Sequence, residues 1–127
     1  MIVVDTHAWV WWVSGSAKLS AHARKQIERS SAVGVPAIVC WEVAMLVAHH
    51  RLELDRDVLE WIQQGLSLPK TEILPLTSGI SVRATRLEGF HGDPADRIIV
   101  ATAQDFGASV VSRDQRIREF KAVVTVW

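Results

Sequence analysis

The sequence predicts an α/β protein, a three-layer α/β/α sandwich around a central parallel sheet. Short β-branched apolar runs recur along the chain: Ile2-Val3-Val4, Val33-Gly34-Val35, Ile73-Leu74, Ser109 to Ser112 and Val123 to Val126. Such runs match strands buried on both faces rather than strands with one face in water. Between them lie segments of roughly ten residues with helical spacing, the crossovers that parallel strands require. The 127 residues amount to about one domain, so a single domain over 1–127 is expected.

Each element has a local reason. Ile2 to Val4 is the first strand, and a helix carrying Trp9, Trp11 and Trp12 follows Asp5. Ser20 suits the N-cap of a helix over His22 to Arg29, with Ala23 and Ile27 four apart. After Val33 to Val35, Pro36 fits the first turn of a helix from Ala37 to about His49. Asp55 is expected to start another helix, with Val58, Leu59 and Ile62 on one face. A strand ends at Ile73-Leu74-Pro75, and Thr77 caps a helix through Leu87. Asp93-Pro94 opens a helix that Gly107 ends. Ser109 to Ser112 is a strand, Arg113 to Phe120 a short helix or turn, and Val123 to Val126 the last strand.

Composition narrows the function. Hydrophobic residues at 49% and charged residues at 22% exclude a disordered chain. Fourteen basic and fourteen acidic side chains cancel, so a polyanion cannot be held by bulk charge and any attraction must be local. Cys40 is the single cysteine; no intrachain disulfide is possible and nothing indicates an oxidising compartment. Met1 to Asp5 lacks a basic leader. Apolar runs such as Val43 to Ala48 fall far short of the ~20 residues of a membrane span. A cytoplasmic protein without membrane association is expected.

Four carboxylates stand out. Asp5 follows directly on the first strand, where it either caps the next helix or faces the carboxyl end of the sheet. Glu42 is the only charge in the stretch Ala37 to Ala48. A helix apolar all round is a buried one, so this carboxylate needs a cation, an arginine partner or a proton. Asp93 and Asp96 bracket Pro94-Ala95 as in a capping box, and the apolar run Ile98 to Ala103 carries Asp96 inward. Asp114 lies just past the fourth strand, as a turn residue or a site residue. Together the four repel one another, and a hard divalent cation, Mg²⁺ or Mn²⁺, is their natural neutraliser. His49-His50 reads as a solvated helix end.

These residues make the chain resemble the PIN-domain family, most of all its VapC-type toxins. The anchors are Ile2 to Ala8, Trp41 to Ala44, Asp93 to Ala103 and Ser112-Arg113-Asp114, in order, over essentially the whole chain. The resemblance implies a Mg²⁺-dependent endoribonuclease of a toxin–antitoxin pair, with Asp5, Glu42, Asp96 and Asp114 as the catalytic and metal-binding quartet. Thr6 and Ser112, with Asp93, would support those carboxylates. It also implies a homodimer and a cognate antitoxin that masks the site. The chain departs from its relatives in the third motif: Ala95 stands where an aromatic is common and Gly92 where a histidine is common.

In such an enzyme bound ions activate a water and neutralise the leaving oxygen. RNA would be drawn by local arginines, Arg97 and Arg113 first, each adjoining a quartet aspartate. Salt bridges inside the acidic cluster are the competing use of both. Arg83, Arg86, Arg116 and Arg118 are further candidates. Of the tryptophans, Trp9 and Trp12 are expected in the core and Trp11 at a partner interface. Two rivals remain at this point: a phosphoryl-acceptor domain, for which Lys121 is the only late lysine, and an interaction module whose acids are caps and ion pairs.

Overall fold

The computed structural model describes residues 1–127. Five strands and seven helices alternate. The first half holds β1 (Ile2–Val4), α1 (Thr6–Val13), α2 (Ala21–Arg29), β2 (Val33–Pro36), α3 (Ala37–Ala48) and α4 (Val58–Leu66). The second holds β3 (Thr71–Leu74), α5 (Ser78–Thr85), α6 (Pro94–Asp105), β4 (Ser109–Val111), α7 (Gln115–Glu119) and β5 (Thr125–Val126). The sheet is wholly parallel in the order β3-β2-β1-β4-β5, with Val3 opposite Gly34 on one side and Val110 on the other. Val3, Val4, Val33, Val35, Val110 and Val111 are completely buried, as strands covered on both faces require.

The topology locates the site. The chain runs outward from β1 through β2 to β3, then returns to the other side of β1 for β4 and β5. Right-handed crossovers put helices on both faces of a parallel sheet, which gives the three-layer sandwich. The direction reverses between β1 and β4. Beyond the carboxyl ends of those strands the flanking loops diverge and leave a crevice.

Six of the seven helices begin at a side-chain cap: Asp5, Ser20, Asp57, Thr77, Asp93 and Asp114 each accept a backbone amide of the first turn. The fourth helix starts later than its sequence predicts, because Asp57 rather than Asp55 does the capping. Asp55 instead pairs with Arg56 at 2.8 Å on the surface. The last strand is also shorter than expected, only Thr125–Val126.

Two departures concern burial. Helix α3 is apolar all round yet buries only Val39, Val43 and Leu46, while Trp41 is 58% exposed. Most of the helix's other apolar residues are only partly buried, so hydrophobicity overstated its burial. Trp12, expected in the core, is only partly buried against it, and Trp11 is half-buried, its ring 5.6 Å from His7 and 5.9 Å from Trp127. Trp9 is the core tryptophan, edge-on to Trp61 at 5.0 Å. Gly65 is needed beside it, since a β-carbon there would lie 2.8 Å from the indole.

Candidate active site

Asp5 leaves the end of β1, its amide held by the Val111 carbonyl at 3.1 Å. Its Oδ1 accepts the Ala8 amide at 2.9 Å, so it both caps α1 and faces the crevice. Ser112 follows β4, is fully buried, and accepts the Asp114 amide at 3.0 Å. That bond fixes the turn that presents Asp114, which in turn caps α7. Glu42 comes from the middle of α3, and the Thr6 hydroxyl donates to its Oε1. Asp93 caps α6 by accepting the Asp96 amide at 2.8 Å. The reciprocal half of the capping box is absent, so the Asp96 carboxylate accepts no hydrogen bond from the chain and turns to the crevice. Four elements separated in sequence therefore deliver Asp5, Glu42, Asp96 and Asp114 to one cleft of about 450 Å³, with Asp93 at its edge.

The electrostatics follow from burial and crowding. Asp5 is pushed up to about 6, chiefly by burial; the Ser112 hydroxyl, the Ala8 amide and His7 oppose that rise, while Asp114 adds to it. Asp96 is pushed up to about 7, by burial first and then by the charges of Asp93, Asp114 and Glu42. Asp114 goes the other way. Burial raises it, but the Arg116 guanidinium and the amides of Ile117 and Arg116 outweigh that effect. The ion pair is tighter to Asp114, at 3.2 Å, than to Asp96, at 3.6 Å, and Asp96 is the more buried. One guanidinium therefore depresses one carboxyl and leaves the other raised.

An all-carboxylate donor set suits a hard cation, and Asp5 and Asp96, raised by burial first and by neighbouring carboxylates second, are the two whose charged forms a cation would favour most. No three metal-ligating side chains converge on one point as they stand. Binding an ion requires rotations of exposed or half-exposed carboxylates, and the cation now closest to them is Arg116. The residues fit a divalent ion in chemistry and charge, with Asp5 and Asp96 most in need of one.

The arginines divide. Arg97 does not face the cleft: its Nε and two Nη atoms donate to the carbonyls of Ala84, Phe90 and Leu87 at 2.9, 2.8 and 3.3 Å. It is neither a phosphate ligand nor a partner of the acids here, because its guanidinium clamps the loop between α5 and α6. Arg113 does line the cleft, held 5.6 Å over the Trp11 ring with no carboxylate partner. Besides the apolar Met45 and Leu46, two polar cleft residues escaped the sequence reading, His7 and Arg51. His7 follows Asp5-Thr6 and could have been found from that adjacency. Arg51 could not: His50 adopts a φ of 57° and folds the chain back, so that the Arg51 amide reaches the Leu46 carbonyl at 2.9 Å. The third-motif departures also have a basis. Ala95 is buried, and a β-carbon on Gly92 would sit 2.4 Å from the Phe90 ring and 2.9 Å from the Asp96 β-carbon.

Comparison with known proteins agrees with this architecture. The PIN domain matches residues 2–123. The chain is 36% identical, over 99% of its length and 98% of the relative's, to Ribonuclease VapC22 of Mycobacterium tuberculosis. Among solved structures it is similar to VapBC2 from Rickettsia felis, with a TM-score of 0.72, 16% identity, and 98% and 97% of the two chains covered. It is also similar to FitAcB from Neisseria gonorrhoeae, with a TM-score of 0.69, 20% identity, and 98% and 96% covered. At those identities the two structures speak for the fold alone. The match along nearly the whole chain, and a ribonuclease more than a third identical to it, settle the family: this chain is a PIN-domain protein of the VapC type.

Proposed function

We propose that the chain is a Mg²⁺- or Mn²⁺-dependent endoribonuclease and the toxin of a toxin–antitoxin pair. The observation that carries this reading is the convergence of Asp5, Glu42, Asp96 and Asp114 on the switch-point cleft of a PIN fold. In this reading Asp5 and Asp96 are the principal metal ligands, with Asp114 and Glu42 completing the set. A bound ion supplies a water made nucleophilic at neutral pH and neutralises the leaving oxygen. Thr6 fixes the Glu42 carboxylate, Ser112 fixes Asp5 and the Asp114 turn, and Asp93 anchors the helix that carries Asp96. Arg113, propped on Trp11, meets the RNA backbone. Single-stranded RNA is the substrate that reaches such a cleft most readily.

Similarity to a ribonuclease supports cleavage of RNA, and similarity to VapBC2 and FitAcB supports a cognate antitoxin. A partner arginine entering the cleft would satisfy the same carboxylates as the metal. A homodimer has support in the exposed indole of Trp41 on α3. No helix is long and apolar enough to cross a membrane; a cytoplasmic site of action belongs to the toxin reading. Membership of the PIN family removes the phosphoryl-acceptor rival. Incubating the purified chain with labelled single-stranded RNA tests the proposal: cleavage with Mg²⁺, none in a chelator, and none by Asp96→Asn is the expected pattern. RNA left intact at every metal concentration would favour the non-catalytic interaction module.

A further inference from the structure

Arg116 is the one arginine of the cleft that is paired with carboxylates. Its Nη2 stands 3.2 Å from Asp114 Oδ2 and 3.6 Å from Asp96 Oδ2, and its Nε lies 3.5 Å from Asp114 Oδ1. The side chain is 52% exposed and donates to no other group, so the acids alone hold it. Asp96 has no other counter-charge within reach. A divalent cation would need the oxygens that Arg116 now covers, and two cations packed side by side repel. One must leave when the other arrives, and only the guanidinium is tethered close enough to remain at the rim.

We propose, on the nuclease reading above, that Arg116 is an exchangeable counter-cation. It neutralises Asp96 and Asp114 while the metal is absent, is displaced by the metal, and then takes a phosphate of the incoming RNA. Exchange reduces the excess negative charge of the cleft before the metal arrives and avoids an excess of cations beside Asp96 and Asp114 afterwards. It also gives a zero-charge protein a phosphate-binding arginine only when the metal is in place. Arg116 is thus a positioning residue with effects of opposite sign on the two ligands.

That opposition is the test. Binding of Mn²⁺ alone is measured by calorimetry on the whole chain, and KM for a short single-stranded RNA is measured at saturating Mn²⁺. Arg116→Ala should tighten Mn²⁺ by about three- to tenfold, the scale of losing exposed ion pairs to two carboxylates, and should raise KM by a similar factor. Arg116→Lys should fall between. Arg118→Ala removes the same charge from the same helix and should move neither value by more than about twofold, since an exposed charge off the cleft is screened. Mn²⁺ affinity that is unchanged or weaker in Arg116→Ala, tightening matched by Arg118→Ala, or tightening with KM unchanged would each overturn the exchange. If the wild type cleaves RNA with Mn²⁺ and one of those results appears, only the exchange falls. If the wild type neither binds Mn²⁺ nor cleaves, the nuclease reading falls with it.

Discussion

At Asp5 two duties coincide, and two substitutions separate them. The side chain caps α1 through the Ala8 amide and contributes charge to the cleft. Asparagine caps as well as aspartate does and brings no charge to a crowded, buried position. Asp5→Asn should therefore unfold in urea at the wild-type midpoint or above it, with RNA cleavage lost. Asp5→Ala should lose the cleavage as well, and be less stable than Asp5→Asn by about 1 kcal/mol, the scale of a missing cap. Asp5→Asn unfolding far below the wild type would mean that the carboxylate is structural.

Among the elements, the loop between α5 and α6 depends on Arg97. Three carbonyls converge on its guanidinium, and alanine would leave them without donors. Arg97→Ala should cost about 2–4 kcal/mol in urea unfolding. Lysine should recover only part of it, because an ammonium cannot reproduce the fork. RNA affinity of the folded fraction should not change; a selective loss of RNA binding at full stability would restore Arg97 to the cleft. Gly65→Ala should also destabilise, by about 1–3 kcal/mol, since the added carbon meets the Trp9 indole between packed elements. This is also the scale at which the sequence was most and least legible. Runs such as Ile2 to Val4 and caps such as Ser20 and Thr77 are local signals, and the structure follows them closely. The cluster of four acids was legible because each sits beside a local signal, a strand end or a helix start, or is a lone charge in an apolar helix. Arg97, Arg51 and the exposed side of α3 were not, because each depends on which distant group meets it. Adjacency to Asp96 made Arg97 look like a site residue, and only the loop's return supplies the carbonyls that claim it.

For the whole molecule, the raised carboxyls predict an unusual pH dependence. Asp5 near 6 and Asp96 near 7 both titrate higher in the folded chain than in the unfolded one. Between about pH 4 and pH 7 the folded state binds more protons than the unfolded state, so stability falls as pH rises. It is greatest with respect to these groups near pH 4, and the loss is complete above about pH 7. Asp114 is lowered and contributes the opposite slope at more acidic pH. Metal-free chain should accordingly melt lower at pH 7.5 than at pH 5, and added Mg²⁺ should raise the melting temperature much more at pH 7.5, where the acids are ionised. A metal-free melting temperature that rises steadily from pH 4 to pH 7.5 would contradict the burial and crowding of these carboxyls.

The most direct measurement is Mn²⁺ binding and single-stranded RNA cleavage by the wild type and by Asp96→Asn, made side by side on folded protein at pH 7.5. The account predicts that the wild type binds Mn²⁺ and cleaves only when it is present. Asp96→Asn should bind it at least about tenfold more weakly, as expected when one charged ligand is lost, and leave the RNA intact. Cleavage in a chelator, or wild-type cleavage by Asp96→Asn, would contradict a metal-dependent nuclease built on this cluster.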